Sequence, residues 1–350
     1  MKKIVSFILV TILLFSLAVG ANAVDLSSQI KDLRAKFQAG EGPVAGDYSV
    51  DYMYYSPVKS GDTKKYPLVV WFHGLGDGNY AGEQIDKNYV AFWASEEYQS
   101  RFGNVDGAFI LAIRSREELS NTWENSMIYP ARAAIDDFIA KNKNNIDLSR
   151  VYAGGYSMGG KMVYKMAVAY PDMFAAIFPI CPAWSPSKTQ AELIKDIPVW
   201  LTSSSKDPIV NYKNSVVPGW NNVCATSAVA ADCRFTTLGT ARMGDGTPCK
   251  SNHYAWFAVN NDMFGYDGKA YPDSSTVDGT GKAVNLTSPN GMISWLYSHT
   301  SDFDGAKATD MGNLEGQGDG GIMVLVFDYF HYVIEFLKKI LAMFGVTLTA

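Results

Sequence analysis

Histidine and cysteine are both scarce, four of each in 350 residues. No spacing among Cys181, Cys224, Cys233 and Cys249 has the paired look of a zinc site, so no metal centre is expected. A basic excess is missing too: the net charge is −5, which excludes nucleic acid as a partner. No internal repeat is visible. The glycine pattern of dinucleotide-binding loops is also absent, because Gly74, Gly76 and Gly78 are followed by Asn79 and break the G-x-G-x-x-G spacing. The longest apolar stretches lie at the two ends of the chain, so the body between them has to build an ordinary core.

Two lysines, an apolar run from Ile4 to Val19 and the small-residue site Ala21, Asn22, Ala23 read as a secretory signal peptide over residues 1–23. The expectation is a secreted, extracellular protein. In an oxidising compartment cysteines pair, and Cys224 with Cys233 and Cys181 with Cys249 is the preferred of three pairings. Residues 303–321 are rich in glycine and acids and poor in apolar side chains, the composition of a flexible linker. Beyond it, residues 322–345 read as an apolar helix with Asp328, His331, Glu335, Lys338 and Lys339 in one polar stripe. Such a helix buries its broad face on a membrane surface, on a second copy or on another protein, which would hold the chain at the cell surface.

The middle of the chain alternates strand and helix patterns. YPLVVWF, from Tyr66, and FILAI, from Phe109, are apolar throughout, as strands covered on both faces must be. After them come the helical stretch ARAAIDDFIAKN, the strand VYAGG, the helical KMVYKMAVAY, the strand AAIFPI, the helical TQAELIKD and the strand PVWLTSS. CRFTTLG reads as a further strand and GMISWLYSH as a late helix. Strands and helices in this rhythm imply right-handed crossovers and a largely parallel sheet, an α/β fold spanning residues 24–302.

Within that rhythm, GGYSMGG places Ser157 at a strand-to-helix turn between Gly155 and Gly159. Small neighbours permit the sharp backbone that lifts a serine hydroxyl clear of a sheet, the G-x-S-x-G elbow. A serine hydroxyl is a weak nucleophile until a histidine takes its proton and an acid orients that histidine. Around such elbows the acid and then the histidine follow the serine in the chain. His73 precedes Ser157, His299 sits in the late helix and His331 in the tail stripe, which leaves His253 as the base. Asp207, in an Asp-Pro turn just past the strand PVWLTSS, is the acid; the competitor Asp196 lies before that strand, at its wrong end. The oxyanion donors are expected to be the amides of Met158, after the nucleophile, and Leu75, in the HGLGDG loop that a buried His73 would organise. Trp184 and Trp220 are candidate cleft residues, Trp256 a core residue, and Asp77 and Glu83 solvated loop charges.

WFHGLGDGN, DLSRVYAGGYSMGGKM, YPDMFAAIFPICPAW, the Asp-Pro-Ile-Val after PVWLTSSSK, and HYAW together resemble the secreted esterase and predicted-peptidase branch of the α/β-hydrolases. That branch is related to polyhydroxybutyrate depolymerases and feruloyl esterases. The resemblance spans about residues 60–300 and implies Ser157 as nucleophile, Asp207 as acid, His253 as base and no cofactor. It implies an ester substrate, such as an acylated plant polysaccharide. Two other readings stay open, a serine peptidase of the same fold and a non-catalytic surface-binding protein. The cysteine-bearing stretch between Trp220 and Lys250, the polar insertion at 265–289 and the apolar tail depart from the pattern.

Overall fold

The computed structural model describes residues 25–115 and 123–318. The expected signal peptide, the apolar tail helix and His331 lie outside these residues. Nine strands form one sheet in the order β1-β2-β4-β3-β5-β6-β7-β8-β9. They are β1 (Gln38–Glu41), β2 (Asp51–Tyr55), β3 (Tyr66–Phe72), β4 (Phe109–Ile113), β5 (Ile146–Tyr156), β6 (Ala176–Ile180), β7 (Trp200–Ser204), β8 (Arg234–Leu238) and β9 (Ser274–Asp278). The six strands from β3 to β8 pair in parallel, and β1, β2 and β9 close the two sides antiparallel.

Every residue of β3 and β4 is buried, because helices cover both faces of the sheet. Alternation within β3 divides the core in two. Leu68, Val70 and Phe72 join the layer under α1 (Ile128–Lys141), α2 (Met158–Ala169), α3 (Lys188–Leu193) and α4 (Val217–Thr226). Val69 and Trp71 face the aromatic layer of Phe92, Trp93, Phe178 and Trp256, under α5 (Trp256–Asn260) and α6 (Met292–Tyr297). The end of β5 runs straight into α2, so the parallel order brings the C-terminal ends of β3, β5 and β7 to one edge of the sheet.

Residues 303–318 are no free linker. Phe303 and Leu314 are buried in the core, and the guanidinium of buried Arg132 stacks on Tyr170 and Phe303 at 4.8 and 5.4 Å. The Ala308 amide donates to Asp136 (3.0 Å), Asn313 to the Val168 carbonyl (3.1 Å), and the Tyr170 hydroxyl to the Asp310 carbonyl (2.7 Å). Composition misleads here because two apolar anchors and a set of hydrogen bonds between side chains and backbone suffice to fasten a polar strap. The polar insertion likewise contains β9, whose partner β8 supplies what its own sequence lacks.

Candidate active site

Ser157 occupies φ +56°, ψ −115°, a region that side chains other than glycine rarely enter and that costs of order 1–3 kcal/mol. The surroundings hold it there. Its amide donates to the Ile180 carbonyl at 2.9 Å, and its carbonyl accepts from the Lys161 and Ala183 amides, each at 3.0 Å. The flanking glycines are required by contact. A Cβ on Gly155 would lie 2.5 Å from the Phe72 carbonyl oxygen, and one on Gly159 would lie 2.0 Å from the same atom. Met158 begins α2, where first-turn amides lack intrahelical acceptors and can serve an anion.

Asp207 follows β7 at the same edge of the sheet. Its Oδ1 accepts the amides of Ile209 (2.8 Å) and Val210 (3.0 Å), which aims Oδ2 at His253 Nδ1, 2.8 Å away. A carboxylate only accepts, so Nδ1 carries the proton and Nε2 remains free to receive one. The Asp207 side chain is wholly buried and that of His253 nearly so. Asp196 precedes β7 at the opposite end, and His299 packs on Trp295 with burial lowering its pKa. Neither lies in the Asp207–His253 unit.

His73 is fully buried in the loop after β3. Nε2 accepts the Ser115 amide (2.9 Å), so the ring carries its proton on Nδ1 and donates it to the Gly74 carbonyl (2.7 Å), while Trp123 Nε1 donates to the His73 carbonyl (2.9 Å). Leu75 follows, 43% exposed at the surface. Burial holds the His73 pKa down to about 4. Folded-state stability from this group is therefore complete above pH ~6.5 and is lost as pH falls toward 4, because the unfolded chain takes up the proton first. The expected loss is of order 3 kcal/mol. Denaturant midpoints at pH 7 and pH 4.5 should fall more steeply for the wild type than for His73→Asn, and equal slopes would refute this. Asp262, raised by burial to about 6, works in the opposite direction in both proteins and cancels in the comparison.

All four cysteines are free thiols, which corrects the expected pairing. Cys181, at φ +35° after β6, donates its thiol to the His253 carbonyl (3.3 Å). Cys233 is buried against the Ser227 hydroxyl at 3.7 Å, and Cys249 and Cys224 are half-buried. Cys181 Sγ, Asp207 and His253 offer ligand atoms within 4.8 Å of one another. Those atoms are already engaged: the histidine with the carboxylate, the thiol with a carbonyl. Burial also pushes the thiol pKa well up, which disfavours the thiolate a metal would need.

The tryptophans are corrected too. Trp184 is fully buried with Lys165 Nζ 5.6 Å from its ring, and Trp220 packs on Phe235 at 5.3 Å, so neither lines a cleft. Trp256, expected in the core, is there and also meets the His253 ring edge-on at 5.4 Å. Asp77 and Glu83 are not solvated charges. Glu83 is buried, accepting the Asn79 amide (2.6 Å) and pairing with Lys87 (2.6 Å), while Asp77 takes hydrogen bonds from Tyr156 and Asn88. The sequence reading took Asp77 for a solvated charge and Cys181 for a disulfide partner, and nothing in it marked Asn88. Tyr156 stood beside the serine, unread.

No family model matches this chain, and no curated protein matches it. Among solved structures, a thermostable esterase superposes with TM-score 0.53 at 27% identity, covering 65% of this chain and 60% of its own. The acylaminoacyl peptidase of Pyrococcus horikoshii is similar over 57% of this chain and 37% of its own (TM-score 0.42, 18% identity). A thermophilic esterase of the planctomycete Thermogutta terrifontis is similar over 55% and 79% (TM-score 0.41, 11% identity). The match thus spans less than two thirds of the first esterase and about a third of the peptidase. The fold is that of the α/β-hydrolase superfamily.

Proposed function

We propose that this protein is a serine hydrolase that cleaves carboxylic esters through an acyl-enzyme. The observation that carries the reading is the buried Asp207–His253 hydrogen bond, placed at the same edge of the sheet as the strained Ser157 turn. Ser157 Oγ attacks the ester carbonyl and His253 Nε2 takes its proton. Asp207 fixes the tautomer and stabilises the imidazolium, and the Leu75 and Met158 amides receive the oxyanion. The imidazolium then protonates the leaving alcohol, and water enters by the reverse sequence. An ester suits this site because an alkoxide leaves with less assistance than an amine. The similarity to the thermostable esterase supports the same choice. The leader-like residues 1–23 favour export, and with it acylated polysaccharide or another extracellular ester as substrate.

Intact-mass spectrometry after fluorophosphonate treatment tests the mechanism. One adduct on the wild type, none on Ser157→Ala, and loss of p-nitrophenyl acetate turnover by about 10⁴-fold or more in the variant are the expected results. An adduct that persists in Ser157→Ala moves the nucleophile elsewhere.

A further inference from the structure

Tyr156 performs no step of that mechanism, yet it adjoins Ser157 in the chain and contacts both the loop after β3 and the Trp256 ring beside His253. It ends β5 directly before Ser157 and is buried. Its hydroxyl donates to Asp77 Oδ2, and Asn88 Nδ2 reaches both that hydroxyl (2.7 Å) and that carboxylate oxygen (3.1 Å). Gly74 lies flat against the ring: a Cβ there would come 2.5 Å from Cε2. On its other side the ring packs on Trp256 with centroids 4.4 Å apart, and Trp256 in turn contacts His253.

The far end of the same network is anchored as firmly. Asn88 and Tyr89 adopt consecutive left-handed conformations (φ +61° and +62°), held because the Asn88 carbonyl accepts from Asn260 Nδ2 at 2.6 Å, at the end of α5. Lys87 Nζ stands 3.6 Å from Asp77 and pairs with Glu83, which binds the Asn79 amide. Residues 74–79 are thus fixed at both ends. Strain of this kind persists only where the surroundings over-determine it, and it gathers at functional sites. Directional bonds matter here because apolar packing alone lets a loop slide, whereas a catalytic amide must be held to about 0.5 Å.

We infer that Tyr156 and Asp77 are positioning residues that keep the Leu75 amide in register with Ser157 and, through Trp256, with His253. The inference rests on the serine-hydrolase reading above. Tyr156→Phe removes a single hydroxyl and leaves the ring on Gly74 and Trp256, so folding changes little. Its kcat, counted per fluorophosphonate-titratable site, is expected to fall about 10–100-fold with KM within about twofold. The rate of phosphonylation falls in parallel, since it needs the same oxyanion donors. Asp77→Ala behaves alike. Asp77→Asn, whose carboxamide oxygen still accepts from Tyr156, loses far less. Wild-type kcat in Tyr156→Phe, or a loss fully explained by fewer titratable sites and a lower Tm, would overturn the role. A wild-type protein that neither labels nor turns over ester overturns the hydrolase reading itself, a result distinct from a labelled but unimpaired Tyr156→Phe.

Discussion

Replacing His253 with alanine lowers kcat/KM for p-nitrophenyl acetate by about 10⁴-fold while moving Tm by only of order 5 °C. The two numbers separate because the side chain performs chemistry but carries little of the fold. In the proposed mechanism Nε2 is the acceptor for the serine proton, while of the other described histidines His73 is hydrogen-bonded through both ring nitrogens and His299 packs on Trp295. Asp207 loses one hydrogen bond when the imidazole is removed, yet keeps the amides of Ile209 and Val210 on Oδ1. A buried carboxylate deprived of one partner of several costs about 1–3 kcal/mol, well within what a chain of this size tolerates. Measuring turnover and melting on the same preparation checks both halves. Retained activity would send the base to another histidine, and a collapse in Tm would show that the Asp207–His253 bond is structural first.

The inner strands were legible in the sequence because burial on both faces leaves no polar positions: YPLVVWF and FILAI can hardly be anything else. The edges were not. Gln38–Glu41, Asp51–Tyr55 and Ser274–Asp278 are short and partly exposed, and their pairing comes from β2, β4 and β8 rather than from their own pattern. Composition failed at 303–318 for a related reason, since Phe303 and Leu314 fasten a strap whose remaining residues read as solvent-loving.

Chain order and strand ends, which are properties of the sequence, singled out Ser157, Asp207 and His253 as candidates. The structure brings the acid and base together and sets the serine in its strained turn. The Asp77–Tyr156–Asn88 network was illegible because its members come from three separate segments, and a carboxylate in a glycine-rich loop has the same sequence signature whether buried or solvated. Cysteine pairing failed on geometry as well: Cys181 gives its thiol to the His253 carbonyl, a contact no spacing rule foresees.

Gly159→Ala sets two effects against each other at one position, and their magnitudes decide the outcome. Gly159 lies in the first turn of α2, where helix propensity alone favours alanine by up to about 1 kcal/mol. The added methyl would sit 2.0 Å from the Phe72 carbonyl oxygen and 2.6 Å from that of His73. Both are backbone atoms. No side chain can rotate away, so β3 and α2 must separate, and overpacking of this sort costs about 1–3 kcal/mol and sometimes more. The steric cost therefore wins. Phe72 and His73 lead directly into the loop proposed to supply an oxyanion donor, and a displacement near 1 Å at such a place costs about 10²-fold in rate. The expected result is a Tm lower by about 5 °C or more and kcat down about 10²-fold. Gly318→Ala, with nothing within 4 Å of its Cβ, serves as the control and should match the wild type. A Gly159→Ala protein with unchanged Tm and kcat would mean that the elbow has room to spare, and that the contact between β3 and α2 does not set the position of the nucleophile.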